Sequence, residues 1–312
     1  KDASCRIDFQ RTLRIPDDNR KYSLPPGLGR FPMEHVEDHK QKVPSNWVDH
    51  GGVLLPMYQS EALWINFSGR YPCAVKIATG KINAVTGKQW SDELVKKPQD
   101  YLVVPDQPWL DGYCVQKGLI RQFVAMPLGD GYTAEEQLTG EAEHGGLQII
   151  VYPMKREIYE EMNDRTSMVL ESSVYSMHMM CAPAIMGLAP GGLMHQEIYE
   201  DEHGYDAWDL DASSRCFVHI LNSNQWKKVT GKLVPGKPTS AKDYSKAGLP
   251  WFEYYDDKLK TLKGSDKLSG LDSVAAKTIK LGEKPLKDNE PVTPGKIHAL
   301  GPNSSKVTEG QW

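Results

Sequence analysis

The chain carries no CxxC pair, no GxSxG, no phosphate-binding GxxxxGK[ST] loop and no GxGxxG opening a helix. These absences leave out zinc ribbons, thioredoxin-type redox centres, serine-hydrolase elbows and nucleotide folds in their recognisable forms. Positive charge is not in excess: 37 Lys and Arg against 41 Asp and Glu give a net charge of −4. That argues against nucleic acid as the main partner, because phosphate binding needs clustered positive charge. Long apolar runs are missing too. The longest, around 182–188, is broken by Pro183 and Gly187, far short of the ~20 residues of a membrane-spanning helix.

Cysteines are few, scattered and odd in number: Cys5, Cys73, Cys114, Cys181 and Cys216. Three sit in apolar, strand-like runs and read as buried, reduced thiols, so the cytoplasm is the expected compartment. A secreted protein is the alternative. It is carried by a start at Lys1 rather than methionine and by sequons at Asn66 and Asn303.

What is present fits a globular protein. The 312 residues are 39% hydrophobic and 25% charged, enough to bury a large core. The 27 glycines and 21 prolines imply many turns and hence many short strands. RIDFQRTLRI (6–15) alternates Ile7, Phe9, Leu13 and Ile15 with polar residues, the period of a strand. ALWINF, AVKIA, YLVV, LIRQFVAM, GLQIIVY, LMHQEIY and CFVHIL are short runs rich in β-branched and aromatic residues and read as further strands. KREIYEEMN (155–163) reads as a helix. So does PWFEYYDDKLKTLKG (250–264), with Pro250 in its first turn and Gly264 as its cap, and a short helix is expected at 271–279.

The expected fold class is therefore α+β and β-rich: a sandwich, or two packed β units, with a helical and extended C-terminal arm. The units are placed at 1–153 and 154–249, and the arm at 250–312. An internal duplication is suggested because AVKIATGKINAVTGK (74–88) is similar to FVHILNSNQWKKVTGK (217–232). The proline-punctuated tail is expected to wrap the chain's own surface or to cross to a second copy, making a homo-oligomer.

FQRTLRIPDD (9–18), LPPGLGRFP (24–32), QDYLVVPDQPWLDG (99–112) and RQFVAMPLGDGYTAEEQLTG (121–140) resemble segments of a family of uncharacterised bacterial and fungal proteins. The resemblance spans most of the first 150 residues and the stretch around 187–255. It implies no activity, cofactor or catalytic residue. Some members are labelled membrane proteins, yet this sequence has no segment of the length that label requires.

Candidate chemistry centres on GGLMHQEIYEDEHGYDAWDLD (191–211). On a strand, His195 and Glu197 share one face and Gln196 and Ile198 the other. With His219 from a neighbouring strand, His195 and Glu197 would make a transition-metal set, although the second histidine of a cupin spacing is absent. The acidic loop that follows, with Asp201, Asp206 and Asp209, offers hard oxygen ligands for a divalent cation such as Ca²⁺. The same side chains also suit turn bonds to backbone N–H groups. SMHMMC (176–181) reads as core packing, with a copper site as its sharper alternative. In EHVEDH (34–39), His35 and His39 are four apart, but Val36 stands where a zinc protease has its glutamate, so a surface helix is expected.

The leading functional expectation is a binding or structural protein, oligomeric through its arm and cation-binding around 195–211. One alternative is a metal-dependent enzyme using His195, Glu197 and His219. Another is a carbohydrate-binding protein, which requires at least two tryptophans open on one face. A small molecule or a glycan is the expected ligand class.

Overall fold

Period-two alternation becomes strand pairing along most of the chain. The computed structural model describes residues 3–163, 185–256, 258–287 and 289–300. In chain order the strands are β1 (Arg6–Thr12), β2 (Lys21–Tyr22), β3 (Gly27–Arg30), β4 (Glu34–His35), β5 (Val53–Met57), β6 (Ala62–Ser68), β7 (Cys73–Thr79), β8 (Ile82–Asn83) and β9 (Leu102–Val104). They continue with β10 (Trp109–Leu110), β11 (Gly112–Gln116), β12 (Leu119–Pro127), β13 (Leu147–Pro153), β14 (Ile185–His195), β15 (Ser214–Asn222), β16 (Trp251–Tyr254) and β17 (Ile297–Leu300). The fold is β-rich α+β and sandwich-like.

The main path of the sheet runs β3-β1-β6-β12-β14-β15-β13-β7-β8, and strands from both sides of residue 153 belong to it. β14 is where it folds back. It pairs with β12 along nearly its whole length but meets β15 only through Ile185 and Met186. The register on β12 shifts between Arg121 and Phe123, opposite Leu193 and Pro190. Gly191 and Gly192 permit this bend: a Cβ on Gly191 would lie 2.5 Å from Val124 Cγ2, and one on Gly192 2.4 Å from the carbonyl oxygen of Pro16.

One apolar core fills the space between the two arms. It joins Phe9, Ile65 and Phe123 from one side to Leu55, Ile77, Ile149 and Ile220 from the other. A second cluster, with Tyr101, Tyr152, Met154 and Trp208, covers the far face of β7, which explains why every residue of β7 is buried.

Several expectations hold: β1, the helix Arg156–Asn163, and a helix in the 271–279 region, seen as Val274–Lys280 with Ser273 as its N-cap. Two others are corrected. Residues 250–264 do not form one helix. Trp251–Tyr254 is a strand paired in parallel with Ile297–Leu300, and Leu24 and Phe252 exchange two backbone hydrogen bonds. Burial of Trp251 and Phe252 under the N-terminal loop outweighs the helical spacing. Residues 33–40 do not form an α-helix either. His35 ends β4, and a 3-10 turn, Val36–His39, buries His39.

The two VTGK tetrapeptides differ in structure. The first lies in the turn after β8, whereas the second ends the helix Ser223–Thr230 with Gly231 as its left-handed cap. SMHMMC, Cys181 and the sequon at Asn303 lie outside the described residues. No helix among the described residues is long and apolar enough to cross a membrane.

Candidate functional site

The outer face of β1, β6 and β10 is built by the complement of the core pattern. Phe9, Leu63, Ile65, Phe67 and Leu110 point into the core. Their neighbours Asp8, Gln10, Trp64, Asn66, Trp109 and Asp111 therefore share the opposite face. Register sets Gln10 opposite both Trp64 and Arg30, and Asn66 opposite both Asp8 and Trp109. The LPPG loop, Phe252 and Leu300 close this face into a cleft of about 320 Å³.

Its walls are aromatic and its polar groups few. The rings of Trp64 and Trp109 meet edge to face at 6.0 Å, and Tyr254 packs on Trp109 at 4.8 Å. Both tryptophans are only partly buried, whereas Trp47, Trp208, Trp226 and Trp251 are buried in the core. Two buried atoms of the cleft wall, Gln10 Oε1 and Trp64 Nε1, have no hydrogen-bond partner among the described residues. Gly27 leaves the room beside them: a Cβ there would stand 3.1 Å from Trp64 Cζ2 and 3.7 Å from Gln10 Oε1. Arg30 on the rim is held by Asp8, Nε to Oδ1 at 3.3 Å.

Asp111 forms the floor and is 2% exposed. Gln196 Nε2 donates to its Oδ2 at 2.7 Å, and the Asp111 backbone N–H donates to Gln196 Oε1 at 3.0 Å. Burial pushes the Asp111 carboxyl up to about 7, against the pull of hydrogen bonds from Gln196 and the Trp109 side chain. Near neutral pH the group is therefore poised between a hydrogen-bond donor and an anion.

Compared with protein-family models, with curated proteins and with solved structures, the chain matches none.

The sequence-derived metal set is not assembled. The period-two split of LMHQEIY is correct, since Gln196 and Ile198 are buried while His195 is exposed and Glu197 partly so. But His195 pairs with Leu119 on β12, and His219 with Leu54 on β5. Met186 faces Ile220, so His219 is level with Gly187. His195 stands about eight residues further on, which at ~3.3 Å per residue is roughly 26 Å of strand. Metal–nitrogen bonds of ~2.0–2.1 Å cannot bridge that separation. Glu197 instead lies against Gly118.

His219 is a packed imidazole. It stacks on Trp47 at 4.1 Å, its Nε2 is 3.1 Å from the carbonyl oxygen of Gly51, and burial pushes its pKa down to about 4.

The acidic loop has structural partners. Asp201 Oδ2 accepts from the Tyr101 hydroxyl and Trp208 Nε1, and its Oδ1 accepts from the N–H groups of His203 and Gly204. Asp209 Oδ1 accepts from the N–H of Asp211, and Asp206 lies in the 3-10 turn Tyr205–Ala207. Among the described residues no group of three or more His, Cys, Asp or Glu is placed to hold a metal ion.

Sequence reasoning named the tryptophans collectively but missed Gln10, Asp111 and Gln196. A signal existed for Gln10. Ile7, Phe9, Leu13 and Ile15 mark the core side of this segment, so alternation alone puts Asp8, Gln10 and Thr12 on a common opposite face, which the structure buries.

Proposed function

We propose that this chain is a binding protein for a small polyhydroxylated ligand, a glycan or glycan fragment, seated in the Trp64–Trp109 cleft. One observation carries the reading: the partly buried rings of Trp64 and Trp109, 6.0 Å apart, line one cleft together with the polar residues Gln10, Asn66 and Asp111. Partly buried indoles offer apolar faces and polar edges suited to sugar rings. Asn66, Arg30 and Asp111 add polar contacts at the rim and floor, in the pattern of a small-molecule site.

The test is titration of the purified protein with neutral mono- and oligosaccharides, followed by tryptophan fluorescence and calorimetry. Saturable binding that Trp109→Ala weakens at least about tenfold, or ~1.4 kcal/mol, is the expected result. No saturable binding across the panel, or binding unchanged by Trp109→Ala and Gln10→Ala, would rule the reading out.

A further inference from the structure

A second cleft, of about 620 Å³, lies away from the tryptophan site, between the turn after β8, the 96–101 loop and the 262–267 segment. Five lysines line it: Lys88, Lys96, Lys97, Lys263 and Lys267. All five are exposed, and none is in an ion pair among the described residues. The lysine ion pairs found lie elsewhere, at Lys76, Lys232, Lys242 and Lys280. Against a net charge of −4, this gathering of unneutralised cations in one concavity stands apart.

Three carboxylates share the lining, Glu200, Asp201 and Asp266. Asp201 is committed to its four donors on the floor. The lysines therefore outnumber the acids, with a surplus of positive charge. Unpaired ammonium groups held near one another repel, and a concave surface concentrates their field, so a bound anion is favoured.

The walls are tied in place. Ser265 Oγ donates to the carbonyl oxygen of Thr86 at 2.6 Å, and the Ser265 N–H donates to that of Cys114 at 3.0 Å. Gln99 bridges the loops, its Nε2 donating to the carbonyl oxygen of Tyr199 at 3.2 Å and its Oε1 accepting from the Asp201 N–H at 2.8 Å. The backbone segments that carry the lysines are thus held around one space.

We infer that this cleft is a binding site for a small oligoanion bearing two or more phosphate or sulfate groups. The VTGK turn at 85–88 supplies Lys88 to it, which gives that tetrapeptide a role its helical counterpart at 229–232 does not share.

The test is calorimetry of the full chain at low salt with three probes: inorganic tripolyphosphate, a sulfated disaccharide and a neutral disaccharide. Saturable binding of at least one anionic probe is expected. Raising NaCl from about 50 to 300 mM should weaken it by about tenfold or more. Binding of tripolyphosphate alone assigns the site to phosphate, and binding of the sulfated sugar alone assigns it to sulfate esters. Lys97→Gln with Lys263→Gln should weaken binding about tenfold, while Lys227→Gln with Lys228→Gln, on the distant helix, should not. Trp109→Ala should leave it unchanged, which separates its failure from that of the glycan reading. Absence of binding by both anions, or binding indifferent to the Lys97/Lys263 pair, would overturn the inference.

Discussion

Asp111 and Gln196 hold each other twice: the amide of Gln196 donates to the carboxyl of Asp111, and its oxygen accepts from the Asp111 backbone N–H. The pair joins the end of β10 to the residue after β14 and closes the floor of the tryptophan cleft. It also holds a nearly buried carboxyl at the cleft floor, which gives the site a pH signature. The folded pKa, about 7, is raised above the ordinary 3.8. The folded state therefore keeps its proton longer than the unfolded chain. The stability from Asp111 is fully present below about pH 4 and is lost as pH rises through 7.

Asp111→Asn mimics the protonated carboxyl. Its stability relative to the wild type should match at pH 4 and rise to an advantage of at most roughly 4 kcal/mol above pH 7. Urea unfolding from pH 4 to 8 measures this. A gap that does not change with pH would show that Asp111 ionises freely in its cleft.

His219 should give the opposite slope. Its folded pKa, about 4, is depressed below the ordinary 6.5. The neutral imidazole stacked on Trp47 is therefore undisturbed above pH 6.5, and stability is lost as pH falls toward 4. His219→Gln should be the less stable protein at pH 8, because the stack is gone. It should recover up to roughly 3 kcal/mol relative to the wild type by pH 4. The same unfolding series reads it, and a constant difference between the two proteins would be the contrary result.

Gly27→Ala separates binding from folding. Its Cβ would enter the tryptophan cleft 3.1 Å from Trp64, and Gly27 does not hold a left-handed backbone. Stability should change by less than ~1 kcal/mol, while sugar affinity falls about tenfold. Affinity equal to the wild type would place the ligand elsewhere.

Alkylation should proceed in a set order. The Cys5 thiol is partly buried and held below its ordinary pKa by a hydrogen bond from Cys73, whose own value is pushed up. Burial also raises Cys114 and Cys216. Since the thiolate reacts, Cys5 should be labelled by iodoacetamide at pH 7.5 before Cys73, Cys114 and Cys216. Peptide mass spectrometry over time gives the order, and earlier labelling of Cys73 or Cys216 would contradict it.

Lys76 is 1% exposed and reaches Asp100 at 2.7 Å, with Ser91 and the carbonyl oxygen of Glu93 as further partners. Lys76→Met leaves Asp100 buried without its cation and should cost about 3–5 kcal/mol. Adding Asp100→Asn should restore part of that loss in chemical denaturation. Additive losses would mean that the two groups do not interact.

Much of this protein is legible in one dimension. Alternation marks β1 and its two faces, and short β-branched and aromatic runs bounded by turn residues mark β6, β7 and β12. The same alternation correctly separates His195 and Glu197 from Gln196 and Ile198. The helices at 156–163 and in the 271–279 region are legible as well, from their separate helical patterning. What periodicity cannot carry is which faces meet. His195 and His219 read as partners because both lie on strands, yet β14 leaves β15 after Ile185 and Met186 and carries His195 away. Residues 251–254 have helical spacing but form a strand, because pairing with Ile297–Leu300 and burial against Leu24 decide the matter. Gln10, Trp64, Trp109 and Asp111 come from three segments spread over a hundred residues. Only the pairing of β1, β6 and β10, roofed by a distant C-terminal strand, makes them one site. The sequence determined the strands and their two faces; the tertiary fold chose which polar face would close into a cleft, because pairing order is set by long-range contacts that no local pattern encodes.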